Sequence, residues 1–435
     1  MMGNEIVVIL TVIGFIISIS VGIPIAFSLL FTTSIAILYL FGPKGLLLLY
    51  SSAYSEGINF LLLAIPLFVF MANMLKSSGI AEHLYDIIHK WFGNIPGGLA
   101  IGTVIICTIF AAITGISSVA TVTMGLISLP EMLRRGYNKT IAIGCINAGG
   151  ALGILIPPSI IMVLYGAVSG ASIGHLFMGG VIPGFILCGF YILYIGIRCF
   201  LRPELGPPGK ETYSIKEKIL ALKAIALPVL LIIMVLGAMY FGIATPTEAA
   251  GIGAFGAIVT SVVYKRFSWR ELLKVSRDSV HLTCMIFWLI FGAQTFTSFL
   301  AYAGIQDMLH QFFLSLHISR WGIMIFIQLV FFILGMFLDP AGIILLTTPV
   351  FAPVVEKLGF DLVWFGVLFT INMEMAYLTP PFGFNLFIMR GIAPPGVTMG
   401  DIYRSITPFV ILQATCLALV MVFPELALLL PRTMK

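Results

Sequence analysis

The sequence predicts an all-α polytopic membrane protein built from inverted-topology repeats, with two re-entrant hairpins and two broken helices. Three observations carry this. First, of 435 residues 60% are hydrophobic and 9% charged, where a soluble chain runs nearer ~45–50% apolar and ~25% charged. Second, the apolar runs are continuous and ~18–20 residues long, as bilayer-spanning helices require; barrel strands are ~10 long and alternate. Third, Pro130, Gly136, Pro157 and Pro158 recur as Pro353, Gly359, Pro380 and Pro381, each 223 positions on. Pro24 pairs similarly with Pro246, and Gly79-Ile80 with Gly304-Ile305.

The elements follow in order. The first repeat, 1–200, holds scaffold helices over 5–41, a span at 58–77, a hairpin at 98–133, a broken helix at 140–168 and a span at 175–197. Residues 201–224, rich in Pro, Gly and charge, read as an exposed cytoplasmic linker. The second repeat, 225–435, holds scaffold helices over 225–264, a span at 281–302, a hairpin at 321–356, a broken helix at 362–391 and a span at 404–430. The hairpin breaks, TGISS at 114–118 and LDPAG at 338–342, lack the charge cluster of a solvent loop. Irregular backbone at membrane depth is tolerated only where it is buried or lines a cavity. Counting ten true spans puts five before the second repeat. An odd number inverts that repeat.

Charge supports this topology. With the N-terminus outside, eighteen of the 23 Lys and Arg fall on the cytoplasmic side, as the positive-inside rule expects. The outside set is Lys44, Arg320, Lys357, Arg432 and Lys435. No Lys or Arg precedes Lys44, so the first run reads as a permanent span and not a cleavable signal. The six cysteines form no CxxC pair and read as buried hydrophobes. A net charge of +5 without a basic stripe excludes a nucleic-acid partner.

Four places could carry chemistry. The tip of hairpin one offers Gly115, Ser117 and Ser118. Its hydroxyls and carbonyls suit a hard cation such as Na⁺, or the serines bond back to their own helix. The second place is Asn147, Gly149, Gly150 and Gly153, followed by Pro157, Pro158 and Ser159. Two prolines remove two backbone donors and interrupt the helix, freeing carbonyls on one side and N–H groups on the other. The third is Asp339-Pro340-Ala341-Gly342, with Thr348 further on. A carboxylate at mid-membrane costs roughly 2.5–3.5 kcal/mol on insertion scales. Asp339 therefore faces a cavity, a cation or a proton path, or caps the helix that Pro340 opens. The fourth place, mate of the second, holds Asn372, Glu374, Thr379, Pro380 and Pro381 and runs on through Gly383 to Asn385. Glu374 is either a second functional carboxylate or a paired one.

Two tips and two breaks related by a two-fold axis would converge near the midplane. Half-helix N-termini favour an anion, and carbonyls and hydroxyls favour cations. This combination points to a transporter and not to an enzyme. Gly251-Ile252-Gly253-Ala254-Phe255-Gly256 spells a nucleotide-binding motif but lies inside an apolar run. Thr245-Pro246-Thr247-Glu248 reads as a helix N-cap. The six histidines, His83, His89, His175, His281, His310 and His317, show no metal spacing. A passive channel would need a continuous polar stripe. A membrane enzyme would need a nucleophile–base pair or metal set, and Ser169 to Ser172 with His175 reads as a turn between spans.

The segments LLAIPLFVFMANMLKSSGIAEHL, GISSVATVTMGLISLPEMLRRGY, GILIPPSIIMVLYG, TPTEAAGIGA, FLDPAGIILLTTPVFAPV and YLTPPFGFNLF cover much of the chain. Through them the chain resembles the large membrane subunit of tripartite ATP-independent periplasmic (TRAP) transporters of the dicarboxylate type. The resemblance implies a multi-pass protein of the bacterial inner membrane with two partners: a small membrane subunit of about four helices, and a periplasmic solute-binding protein delivering a small carboxylate. It implies Na⁺ as coupling ion, with no other cofactor, and an elevator-like motion. By motif match its Na⁺ sites fall at Gly115, Ser117, Ser118, Gly149, Gly150, Gly153, Asp339, Thr348, Asn372 and Thr379. Ser117, Ser118, Gly149, Asp339 and Thr379 are the foremost Na⁺ ligand candidates. An inverted-repeat ion or anion transporter working without a binding protein, or a channel, is the alternative.

Overall fold

A computed structural model describes all residues except 1, 80–86, 210–212, 305–317, 382 and 435, and the side chains of 2–5 and 224. The sequence readings at Ile80, His83, Lys210, Ile305, His310, His317 and Lys435 lie outside the described residues. Among the described residues every regular element is helical.

In the first half these are α1 (Met2–Ser20), α2 (Ile25–Phe41), α3 (Leu47–Gly57), α4 (Ala64–Ser77), α5 (Gly98–Thr114), α6 (Ser117–Arg134), α7 (Lys139–Ala151), α8 (Ile160–Ser169) and α9 (Ile173–Leu201). The second half holds α10 (Ile215–Tyr240), α11 (Pro246–Val263), α12 (Trp269–Tyr302), α13 (Arg320–Gly335), α14 (Pro340–Lys357), α15 (Leu362–Tyr377), α16 (Phe384–Ile392), α17 (Met399–Val422) and α18 (Glu425–Thr433). The hairpins are α5–α6 and α13–α14. The broken helices are α7–α8 and α15–α16, with cis bonds at Pro157-Pro158 and Pro380-Pro381.

Packing is reciprocal between the halves. The hairpin limb α6 packs on the half-helix α16, and its counterpart α14 packs on α8. Likewise α7 meets α17 while α15 meets α9, and α2 meets α12 while α11 meets α4. Each repeat therefore completes its hairpin with the other repeat's broken helix, which brings all four interruptions to one region. Apolar residues such as Ile9, Phe31, Ile233 and Phe255 are exposed on α1, α2, α10 and α11. A lipid-facing surface has this character.

Three local readings change. The linker is shorter than 201–224: α9 runs to Leu201, and helix resumes at Ile215. The reason is a capping box. The Ser214 hydroxyl accepts from the Glu217 N–H at 3.3 Å, and the Glu217 carboxylate accepts from the Ser214 N–H at 2.8 Å. That backbone donor holds the Glu217 carboxyl below its usual range. Helix α3 was not anticipated; it packs on α12, with Ser52 and Ser298 hydroxyls 3.4 Å apart. Finally, among the described residues six segments reach spanning length with spanning composition, among them Ile173–Leu201, Trp269–Tyr302 and the hairpin limb Pro340–Lys357. Of the shorter apolar helices, Lys139–Ile154, Ile160–Ser169 and Leu362–Tyr377 are pieces of the two spans that the breaks divide.

Candidate functional site

Both hairpin tips and both helix breaks border one cavity of about 660 Å³. Hairpin one contributes Gly115, Ile116, Ser117 and Ser118; hairpin two contributes Asp339 and Ala341. The first break adds Ile154 and Ile160, and the second adds Tyr377 and Phe384. Helices α2 and α12 close the opposite wall with residues such as Phe27, Met285 and Trp288.

Local chemistry explains the tips. Gly115 ends α5 in the left-handed region, at φ 62°, and an added Cβ would lie 2.3 Å from the Pro158 carbonyl oxygen. Only glycine lets the tip turn and touch the broken helix at once. The other glycines of the first break serve close packing. A Cβ on Gly149 would lie 2.8 Å from Cys107 Cβ, one on Gly150 2.1 Å from Thr121 Oγ1, and one on Gly153 3.0 Å from the Ser117 nitrogen. Asp339 is both things the sequence left open. Its carboxylate caps α14 by accepting from the Ala341 N–H at 3.0 Å, and it lies open to the cavity. The Tyr377 hydroxyl donates to its other oxygen at 3.4 Å, tying hairpin two to the second break.

The remaining predicted residues stand behind the wall. Ser159 caps α8, accepting from Met162 N–H at 3.3 Å and donating to the Ile154 carbonyl at 2.5 Å. Pro158 and Ser159 also border a water-sized hollow with Thr114. Asn147 donates to the Ile143 carbonyl at 3.0 Å, and Thr379 to the Met375 carbonyl at 2.7 Å. Asn372 donates to the Gln328 carbonyl and side-chain oxygen at 2.8 and 2.9 Å, bolting α15 to hairpin two. Pro157, Pro380 and Pro381 form the breaks themselves. Glu374 is not brought to the cavity wall. It is wholly buried, with both carboxylate oxygens unpartnered among the described residues, and its electrostatic neighbours are Tyr191 on α9 and Cys416 on α17. Residues 372 and 374 are about 200° apart around a helix, so they face different neighbours.

The fit to a hard cation rests on oxygen. These elements hold buried side-chain oxygens without a hydrogen-bond partner among the described residues: Asn147 Oδ1, Thr121 Oγ1, Thr348 Oγ1, Asn372 Oδ1 and Asn385 Oδ1. Neutral oxygens plus one carboxylate suit Na⁺ and not a soft metal. No group of three His, Cys, Asp or Glu able to hold a metal occurs among the described residues.

Sequence reasoning ran the fourth place to Asn385 without giving that residue a role, and did not single out Tyr377 or Gln328. Asn385, at the start of α16, donates to Ser117 Oγ at 2.7 Å and is wholly buried. That bond joins hairpin one to the second repeat's broken helix. Asn385→Ala leaves a buried hydroxyl without its partner, so unfolding stability in detergent is expected to fall by about 1–3 kcal/mol. A double-mutant cycle with Ser117→Ala is expected to be strongly non-additive. Additive losses would mean the bond does not form.

These features are those of a polytopic membrane protein with paired hairpins and broken helices around one cavity, the architecture of a transporter. A family profile described as "Tripartite ATP-independent periplasmic transporter, DctM component" matches residues 12–426. The chain belongs to that family, and relatives such as those below are named as transporter permease proteins and not as enzymes. It is 34% identical to the C4-dicarboxylate TRAP transporter large permease protein DctM of Rhodobacter capsulatus, over 86% of this chain and 87% of that one. It is 30% identical to the ectoine large permease TeaC of Halomonas elongata, over 94% and 95% of the two chains. Against the sialic acid large permease SiaM of Vibrio cholerae the identity is 29%, again over 94% and 95%. Among solved structures the fold is similar to the Alcanivorax borkumensis YdaH transporter. The TM-score is 0.65 and identity 13%, covering 92% of this chain and 98% of that one.

Proposed function

We propose that this chain is the permease of a secondary importer that takes up a small organic acid with Na⁺. The carrying observation is the convergence of both hairpin tips and both breaks on one cavity, among whose described wall residues Asp339 is the one that is charged. The Na⁺ ligands in this reading are Ser117, Ser118, Asp339 and the freed carbonyls near Gly149 and Thr379. The hairpins and broken helices move as one body against α2 and α12, in the manner of an elevator. A periplasmic binding protein delivers the acid, and a small membrane subunit steadies the scaffold of the inner-membrane complex. In this reading residues 1–200 and 225–435 are the two repeats. The relatives' named cargoes and the tripartite family support it.

Energetics requires coupling. A membrane negative inside opposes a lone anion by ~2.3 kcal/mol per charge per 100 mV. Two Na⁺ per monoanion reverse the sign of the net charge moved. Uptake into proteoliposomes holding both membrane subunits, with binding protein outside, is expected only with an inward Na⁺ gradient. Equal uptake without the gradient would refute the coupling. Ser117→Ala combined with Ser118→Ala is expected to raise the Na⁺ concentration needed for half-maximal uptake by about tenfold. Ser118→Ala alone, which leaves the Asn385–Ser117 bond in place, should matter more for Na⁺ than for folding. An unchanged Na⁺ curve would take the first tip off the list of ligands.

A further inference from the structure

Behind the second break, away from the cavity, lies a polar cluster that the transport reading does not use. Helices α9, α15 and α17 pack against one another in all three pairings. At their junction Tyr191, Glu374 and Gln413 are each wholly buried. Glu374 is an electrostatic neighbour of Tyr191 and of Cys416, and Gln413 stands beside the Tyr191 hydroxyl. Gln413 and Cys416 are three residues apart and so share a face of α17. None of these residues lies on the cavity wall.

The cluster is rich in unmatched oxygen. Both Glu374 oxygens, the Tyr191 hydroxyl and the Gln413 side-chain oxygen have no hydrogen-bond partner among the described residues. Asn372, on the same helix, faces Gln328 of hairpin two. So α15 is bolted to the hairpin on one side and carries an unmatched carboxylate on the other. Buried charges in proteins are paired or bind metal ions, because an isolated one is strongly unfavourable. Basic side chains do not supply the match. Among the described residues none reaches Glu374, and Arg198, Arg320 and Lys357 stand at the ends of α9, α13 and α14. A proton would be held by one oxygen, whereas a cation can be held by all four.

The donor set narrows the choice of ion. Two carboxylate oxygens, a phenol oxygen and an amide oxygen are hard ligands. The nearby sulfur does not compete, since Cys416 Sγ is directed to the Pro183 carbonyl at 3.8 Å. A single carboxylate selects a monovalent ion, because a divalent one would leave a net positive charge buried. The Tyr191 ring meets Phe409 edge-on at 5.3 Å between centroids, which fixes where its hydroxyl points.

We infer that Glu374, Tyr191 and Gln413 form a cation site of their own, holding one Na⁺ between α9, α15 and α17. The ion neutralises Glu374 and ties the first half of the second broken helix to one helix from each half of the chain. Ion and carboxylate cancel, so the filled site adds no net charge to the body that carries it. The site stands independently of the transport reading.

Equilibrium binding of radiolabelled Na⁺ to the purified chain in detergent tests this by counting ions. Glu374→Gln keeps the size of the side chain and removes its charge; it is expected to bind one Na⁺ fewer per chain than the parent. Tyr191→Phe removes one ligand oxygen and is expected to weaken that ion about fivefold to tenfold. Adding Glu374→Gln to Asp339→Asn should again lose one Na⁺, which separates this site from the cavity. Equal Na⁺ counts in the parent and Glu374→Gln overturn the inference and leave Glu374 a neutral acid. If Glu374→Gln does not fold, an unchanged Na⁺ titration in Tyr191→Phe overturns it instead. Uptake that ignores the Na⁺ gradient, with the difference in counts intact, sinks the transport reading and leaves this site standing.

Discussion

Asp339→Asn is expected to raise the Na⁺ requirement of uptake by about 10–100-fold while leaving the fold intact. The substitution separates two jobs that Asp339 does at once. Its carboxylate caps α14 through the Ala341 N–H, and it is the one charged group among the described residues of the cavity wall. Asparagine caps a helix about as well as aspartate, so unfolding stability should stay within about 0.5 kcal/mol of the parent. The formal charge is gone, and with it the strongest attraction for a cation, worth about 1.5–3 kcal/mol for a charged ligand. Asp339→Ala removes the cap as well and should cost about 1 kcal/mol more in stability. The readouts are the Na⁺ dependence of uptake and unfolding in detergent. A parental Na⁺ curve in the asparagine variant would remove Asp339 from the ion site. A large stability loss in that variant would make its role structural.

Gly115→Ala is expected to be the most damaging single methyl group in the cavity region. The position has φ 62°, where a side chain costs about 1–2 kcal/mol. The new Cβ would also meet the Pro158 carbonyl oxygen at 2.3 Å, a backbone atom that cannot swing away. Overpacking of this kind adds about 1–3 kcal/mol. Gly359→Ala is the control: its φ is 79°, yet nothing lies within 4 Å of the added carbon. It should therefore show only the backbone cost. The difference between the two in chemical unfolding isolates the seating of hairpin one in the first break. Uptake should fall at least tenfold in Gly115→Ala and little in Gly359→Ala, since 1.4 kcal/mol of misplaced ion affinity is about tenfold. Equal losses would show that the tip is not seated on the broken helix.

The reciprocal packing of the two halves gives these substitutions reach beyond their own repeat. Hairpin one is completed by α16, through Asn385 and Ser117, and α14 packs on α8. A shift at either tip thus bears on the other repeat's half-helix. In the proposed motion this makes the four interrupted elements one body, sliding over the apolar faces of α2 and α12.

How much of this was legible in the sequence follows from the physics of a chain in lipid. Proline pairs, tip glycines and Asp339 act on their own backbone or their own solvation, so the hairpins, the breaks and the tip residues could be read without a structure. Tertiary structure alone decided which way each side chain faces. Asn372 turns to Gln328 and Glu374 to Tyr191 and Cys416, while Tyr377 reaches the cavity. In a soluble helix an apolar stripe marks the inward face. Here every face is apolar, and that signal is erased. For the same reason α3, the Asn385–Ser117 bond and the polarity of the cavity came only from long-range packing, which brings together residues as far apart as 117 and 385.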